Sequence, residues 1–244
     1  MCWSAEASAT MIGLGAVATA VTQRRGDAPA IWLTLGFFTL MEALQFWGYI
    51  VLDQCGTPAN RSVTVLSYVH IAIQPFFINA FAMELVPAAV KRRARFLVFS
   101  GCGISTLVML GQIIPAPSLG VCLPDSALCA DRWCTVSGDW HIAWDVPYNG
   151  LMLPLERAYG IYAGFPTYLI AAFILPLFYG AWRFVIVHAL VGPILAATLT
   201  TNPNEMPAIW CLFSIAILLI GLSPPVRKAT TATRWWGRQI TSSC

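Results

Sequence analysis

Three histidines occur in the chain, and two of them stand four residues from a polar partner. His70 and Gln74 lie in SVTVLSYVHIAIQPFFINAFAMELV (Ser62 to Val86), and His141 and Asp145 lie in SGDWHIAWDVPYNG (residues 137–150). Residues four apart share one face of a helix. An imidazole oriented by a carboxylate can act as a general base or a metal ligand. Glu42 is a second acid in an apolar setting, with Gln45 and Tyr49 following it. An ionisable residue within an apolar, membrane-length helix marks a functional site by default, because burying it is expensive.

The elements that must position these groups are apolar helices. The chain has 244 residues, of which 58% are hydrophobic and only 10% charged, against about 25% charged in an ordinary soluble domain. This composition predicts an integral, multi-pass protein of the cell membrane. Seven apolar segments are expected near 3–23, 30–52, 62–86, 94–115, 158–181, 184–200 and 206–224, making an all-α bundle of seven transmembrane helices. A broken or re-entrant hairpin over 158–200 is the alternative, because its second leg is short. The opening MCWSAEASATMIGLG has no basic n-region, so it reads as the first span rather than a removed signal.

Basic residues gather after the first, third, fifth and seventh segments: Arg24 and Arg25, Lys91 to Arg95, Arg183, and Arg227 with Lys228. The positive-inside rule then predicts an outer N-terminus and a cytoplasmic C-terminus. Residues 1–226 form the membrane domain, 116–157 an outer loop, and 227–244 a basic tail at the inner surface. Glu42 and His70 fall roughly 12–15 Å below the outer ends of their segments at about 1.5 Å per residue. A Glu42–His70 contact is therefore expected, extended by Gln45, Tyr49 and Gln74 and reached from outside past Glu6, Ser4 and Ser8. Pro75 should kink the third segment. Glu84 is expected to meet the Lys91–Arg95 cluster, and His188 to be a lone packed or interfacial histidine.

Five of the eight cysteines fall on the outer side: Cys2, Cys55, Cys122, Cys129 and Cys134. An oxidising compartment favours disulfides. Cys55 is expected to pair either with Cys2 or into the loop, and two disulfides leave one of the five over. A thiolate metal site with His141 is the sharper alternative, although the spacing fits no standard zinc pattern. The segment 137–150, if helical, is one amphipathic turn carrying Trp140 and Trp144 at headgroup level, ended by Pro147.

Several chemistries are excluded. A retinal protein needs a Schiff-base lysine in its last span, and Lys91 and Lys228 are the only lysines. HExxH, GxSxG and P-loop motifs are absent. The paired last-span histidines of ceramidase-like hydrolases are missing, and no rhomboid-type serine and histidine pair is evident. No basic patch interleaved with aromatics suggests nucleic acid. The motifs MCWSAEAS, SYVHIAIQPFFINAFAMEL and WHIAWDVPYNG together resemble a family of uncharacterised multi-span membrane proteins that begin Met-Cys-Trp-Ser. The resemblance covers most of the chain and implies a membrane protein, with no activity attached.

The function expected from these residues is an outward-facing intramembrane pocket around Glu42 and His70. It would bind a small or apolar ligand, a lipid, or a metal or haem cofactor, with enzymatic turnover an open alternative. Glu42, His70, His141 and Asp145 are its candidate catalytic groups. Gln45, Gln74 and Tyr49 are its candidate binding groups, and His70 and His141 its candidate metal ligands. A proton-coupled carrier is the second reading. A structural subunit, in a homo-oligomer or a membrane complex, is the third.

Overall fold

The computed structural model describes residues 3–124, 126–159, 165–211, 213–235 and 238–239. The chain is mostly helical. Helix α1 (Ala5–Arg24) starts where Ser4 Oγ accepts the Ala7 N–H. It stops at Gly26, whose φ of 73° allows a Schellman turn. There Gly26 N donates to Gln23 O and Asp27 N to Thr22 O, which uses two otherwise unpaired carbonyls. Helix α2 (Pro29–Ile50) opens with proline in its first turn, where no N–H is missed. Helix α3 (Pro58–Ala82) does the same under a Thr57 cap, and α4 (Ala88–Gln112) follows. The α3 helix runs on through Pro75. Proline leaves the carbonyl of Ile71 without its helical donor, and Thr106 Oγ1 on α4 donates to the next carbonyl, Ala72, at 2.7 Å.

A short helix, α5 (Leu153–Tyr159), precedes α6 (Pro166–Phe178) and α7 (Trp182–Leu199). Each of these two legs is interrupted by one wide π-type turn, at Ile170–Ile174 and Leu190–Ile194. Asn79 on α3 donates to the Ala171 carbonyl inside the first of them at 2.8 Å. Helices α8 (Met206–Trp210), α9 (Phe213–Leu222) and α10 (Pro224–Thr230) complete the bundle. A two-residue antiparallel ladder then pairs Arg234–Trp235 with Arg238–Gln239.

Among the described residues, five helices are long and apolar enough to cross a membrane: α1, α2, Pro58–Leu85, α4 and α7. The Met206–Leu222 stretch makes a sixth when taken with α10, across a bend of 107°. Helix α6, about 20 Å long at 1.5 Å per residue, is short of a ~30 Å hydrocarbon core.

The bundle has two chemically different ends. At one, Asp27 binds Arg25 at 2.7 Å and Arg227 at 2.8 Å, Glu84 pairs with Lys91, and Arg183 donates to the carbonyls of Ala229 and Thr231. Helix α10 is thus docked on the bundle, and Ala232 N donates to Leu85 O. The other end carries a β-hairpin, β1 (Cys134–Ser137) with β2 (Ile142–Asp145). This overturns the helical turn expected there. The β-rich residues of Cys-Thr-Val and Ile-Ala-Trp pair across a turn, and the spacing of Trp140 and Trp144 is not helical.

Two disulfides pin that end. Cys55 joins Cys134 and Cys122 joins Cys129. Cys55 thus pairs into the loop. Cys2 lies outside the described residues. Cys102 and Cys211 are buried thiols, as expected for cysteines within apolar helices.

Candidate functional site

Glu42, Gln45 and Tyr49 follow one another at i, i+3 and i+7, so a single face of α2 carries all three. Each reaches a different element. Glu42 Oε1 accepts Ser214 Oγ of α9 at 2.9 Å. Gln45 Nε2 donates to the Ala208 carbonyl of α8 at 3.2 Å. Tyr49 Oη meets His141 Nδ1 at the hairpin turn at 2.9 Å. The Ile142 N–H donates to that same Nδ1 at 2.7 Å. A backbone N–H can only donate, so Nδ1 is the bare nitrogen and the ring hydrogen sits on Nε2.

This polar column is incompletely satisfied. Glu42 Oε2, Gln45 Oε1 and His141 Nε2 are buried without a hydrogen-bond partner. Beside Glu42, between α1, α2 and α9, lies a cavity of about 10 Å³, room for roughly one water molecule. Burial holds His141 as the neutral imidazole, with its pKa pushed down to about 3.

The hairpin turn is held over the column by Glu205. Its carboxylate accepts the backbone N–H groups of Asp139, Trp140 and His141 and the Thr200 hydroxyl. Gly138 is required there, since a Cβ would sit 2.6 Å from Glu205 Cδ and from the His141 carbonyl oxygen. Trp3 extends the cover, stacking on His141 at 5.8 Å and donating its indole N–H to Ser8. Nothing in the sequence flags Glu205. It stands in TTNPNE, which reads as a solvated turn, and three of its partners are backbone amides that no residue pattern encodes.

His70 does not join the column. Its Nε2 lies 2.8 Å from the Phe37 carbonyl, its Nδ1 is 3.5 Å from Gln74 Nε2, and its ring stacks on Phe37 at 3.8 Å. The expected Glu42–His70 contact is replaced by these partners. Helix α3 begins at Pro58, four residues before the anticipated Ser62, so His70 lies one turn deeper, level with Phe37 instead of Glu42. Gln74 Oε1 accepts Tyr168 Oη at 2.7 Å, so His70 and Gln74 stitch α2, α3 and α6 together.

Asp145 is likewise separated from His141. Four strand residues span roughly 13 Å, and Asp145 accepts instead from Asn204 Nδ2 at 2.9 Å. Burial raises its carboxyl pKa, and the Asn204 bond works against that rise. Glu6 is exposed on α1, off the column.

The candidate metal ligands present no open donor set. A carbonyl oxygen only accepts, so His70 Nε2 carries its hydrogen, and Gln74 occupies Nδ1. The one lone pair of His141 is taken by two donors. Among the described residues, no group of three or more His, Cys, Asp or Glu side chains converges as a metal site.

Fold and site together define a helical protein with several helices of membrane-crossing length and a disulfide-pinned hairpin over a buried acid. The chain belongs to the family of unknown function DUF5765, whose profile matches residues 6–231. No curated protein and no solved structure matches it.

Proposed function

We propose that the protein is a seven-segment membrane protein with its basic end in the cytoplasm and its hairpin outside, and that it takes up and releases a proton at Glu42. One observation carries this reading: a carboxyl with an unpartnered oxygen sits deep in the bundle, beneath a line of half-satisfied polar groups leading to the hairpin. It accepts a hydrogen bond from Ser214, and among the described residues no ion pair engages it. An uncompensated buried charge is far costlier than a buried neutral acid. The Tyr49 hydroxyl and the Gln45 amide can pass hydrogen bonds between Glu42 and His141, with a water at the cavity beside Glu42 closing the line. Exchange with the outer side then needs only small movements of the hairpin turn. Seven segments agree with the alternation of charged and hairpin ends, α6 being the short one.

The test is proton uptake into liposomes containing the purified protein, driven by a potassium diffusion potential. Glu42→Gln keeps size and hydrogen bonding but removes the exchangeable proton. Uptake by the native protein and none by the variant supports the reading. Equal rates, or no uptake by either, overturn it.

A further inference from the structure

A second site lies across Phe38 from the cavity beside Glu42 and does not depend on the reading of Glu42. It starts at Gly192, inside the wide turn of α7, a kind of helix irregularity that recurs at functional sites. The Gly192 backbone is non-helical (φ −98°, ψ −105°). The Trp210 indole lies against it, so closely that a Cβ would fall 2.4 Å from Nε1. From there the indole N–H donates to His188 Nε2 at 3.0 Å.

That bond fixes the histidine. An indole nitrogen only donates, so His188 Nε2 is bare and Nδ1 carries the hydrogen. The ring is wholly buried, between Phe213 at 3.9 Å and Phe173 at 4.4 Å, and Nδ1 has no partner. His188 lines a cavity of about 10 Å³ shared with Gln74, Tyr168 and Cys211. Gln74 and Tyr168 are bonded to each other, and the Cys211 thiol donates to the Pro207 carbonyl at 3.2 Å.

Phe165, Pro207 and Trp210 wall this cavity and also wall a second, larger space. The latter is an apolar groove of about 460 Å³ between α6, α7 and α8, with Leu169, Ala196 and Met206 on its sides. Its size suits a small-molecule site, typically about 300–1,000 Å³. Among the described residues no charged side chain lines either space, so an ionised head group would lie uncompensated.

We propose that groove and cavity form one binding site for a neutral lipophilic carbonyl compound. The apolar body lies in the groove, the carbonyl passes beside Trp210 where the two spaces share walls, with the indole N–H kept on His188 Nε2, and the carbonyl oxygen accepts the His188 Nδ1–H. The requirement for an acceptor follows from the tautomer that Trp210 imposes. The requirement for an apolar, uncharged body follows from the lining.

The experiment titrates the purified full chain in mild detergent with a long-chain methyl ketone labelled with ¹³C at its carbonyl. Saturable binding and the infrared carbonyl band are read together. The expected result is binding of one ketone per chain, with the band moved to lower frequency by the hydrogen bond. An alkane of equal length should compete poorly. Met206→Trp, which fills the groove at a half-buried position, should abolish binding while the melting temperature holds. His188→Phe should weaken binding about tenfold and return the band to its unbonded frequency. Absence of saturable binding overturns the proposal. So does an unshifted band, equal competition by the alkane, or binding indifferent to both substitutions.

Discussion

Tyr49 and His141 are joined by a hydrogen bond of 2.9 Å that ties the inner face of α2 to the hairpin turn. It is the topmost link of the column that ends at Glu42. The hairpin is therefore more than a cover, because one imidazole fixes both its turn and the Tyr49 hydroxyl.

Removing that link should be measurable as stability. Tyr49→Phe deletes the donor and keeps the ring, and a net hydrogen bond contributes about 1 kcal/mol. Thermal unfolding in detergent should show a loss of that size. A loss well beyond it would mean that the phenol does more than bridge α2 to the hairpin.

The same imidazole makes stability depend on pH. Its folded pKa is lowered to about 3 from 6.5, so the unfolded chain binds a proton over that interval and the folded chain does not. Stability from this group is full above 6.5 and falls as the pH drops toward 3. Asp145, with a raised carboxyl pKa, contributes in the opposite sense, so the comparison must be between variants. His141→Asn should flatten the acid-side decline of the melting temperature, and an unchanged decline would contradict the assignment.

Asp27 sets the behaviour of the basic end. The Arg227 hydrogen bond, aided by Arg25, holds its carboxyl pKa below the ordinary 3.8. Its contribution is present above that value and is lost only as the pH falls through the lowered one. Asp27→Asn should therefore loosen α10 at neutral pH, read as faster tryptic cleavage near Arg227 and Lys228. Equal cleavage rates would show that the ion pairs do not hold α10 in place.

The two disulfides should differ in weight. Cys55–Cys134 closes a separation of 79 residues and Cys122–Cys129 one of 7. Loop entropy assigns about 4 kcal/mol to the former and about 2–3 to the latter. Cys55→Ser should lower the melting temperature more than Cys122→Ser. The reverse order would indicate that the hairpin is held chiefly by Glu205 and by Asn60, whose side chain spans the Val51 carbonyl and both backbone groups of Thr135.

Helices α1 to α4 were legible in the sequence because their apolar runs are long and their ends are capped by Ser4, Gly26, Pro29 and Thr57. The Glu84–Lys91 pair could be read from spacing alone, whereas His188, expected to stand alone, is bonded to Trp210. The four-residue error at the start of α3 had a local signal, Thr57 followed by Pro58, and hydropathy outweighed it. That error made Glu42 and His70 neighbours. The hairpin was missed because a polar residue four places from a histidine fits a helix and a strand equally well. Trp210 with His188, and Glu205 with the hairpin turn, are tertiary contacts whose partners lie at least 22 residues away. No period in the chain encodes them.

The central claim is that the Glu42 carboxyl exchanges a proton with the hairpin side. The most direct measurement is infrared difference spectroscopy of the protein in liposomes on changing the pH of the medium, in light and heavy water. The account predicts a protonated-carboxyl band that shifts in heavy water, titrates with the medium, and is missing from Glu42→Gln. A band that persists in that variant, or one that never responds to the medium, would contradict it.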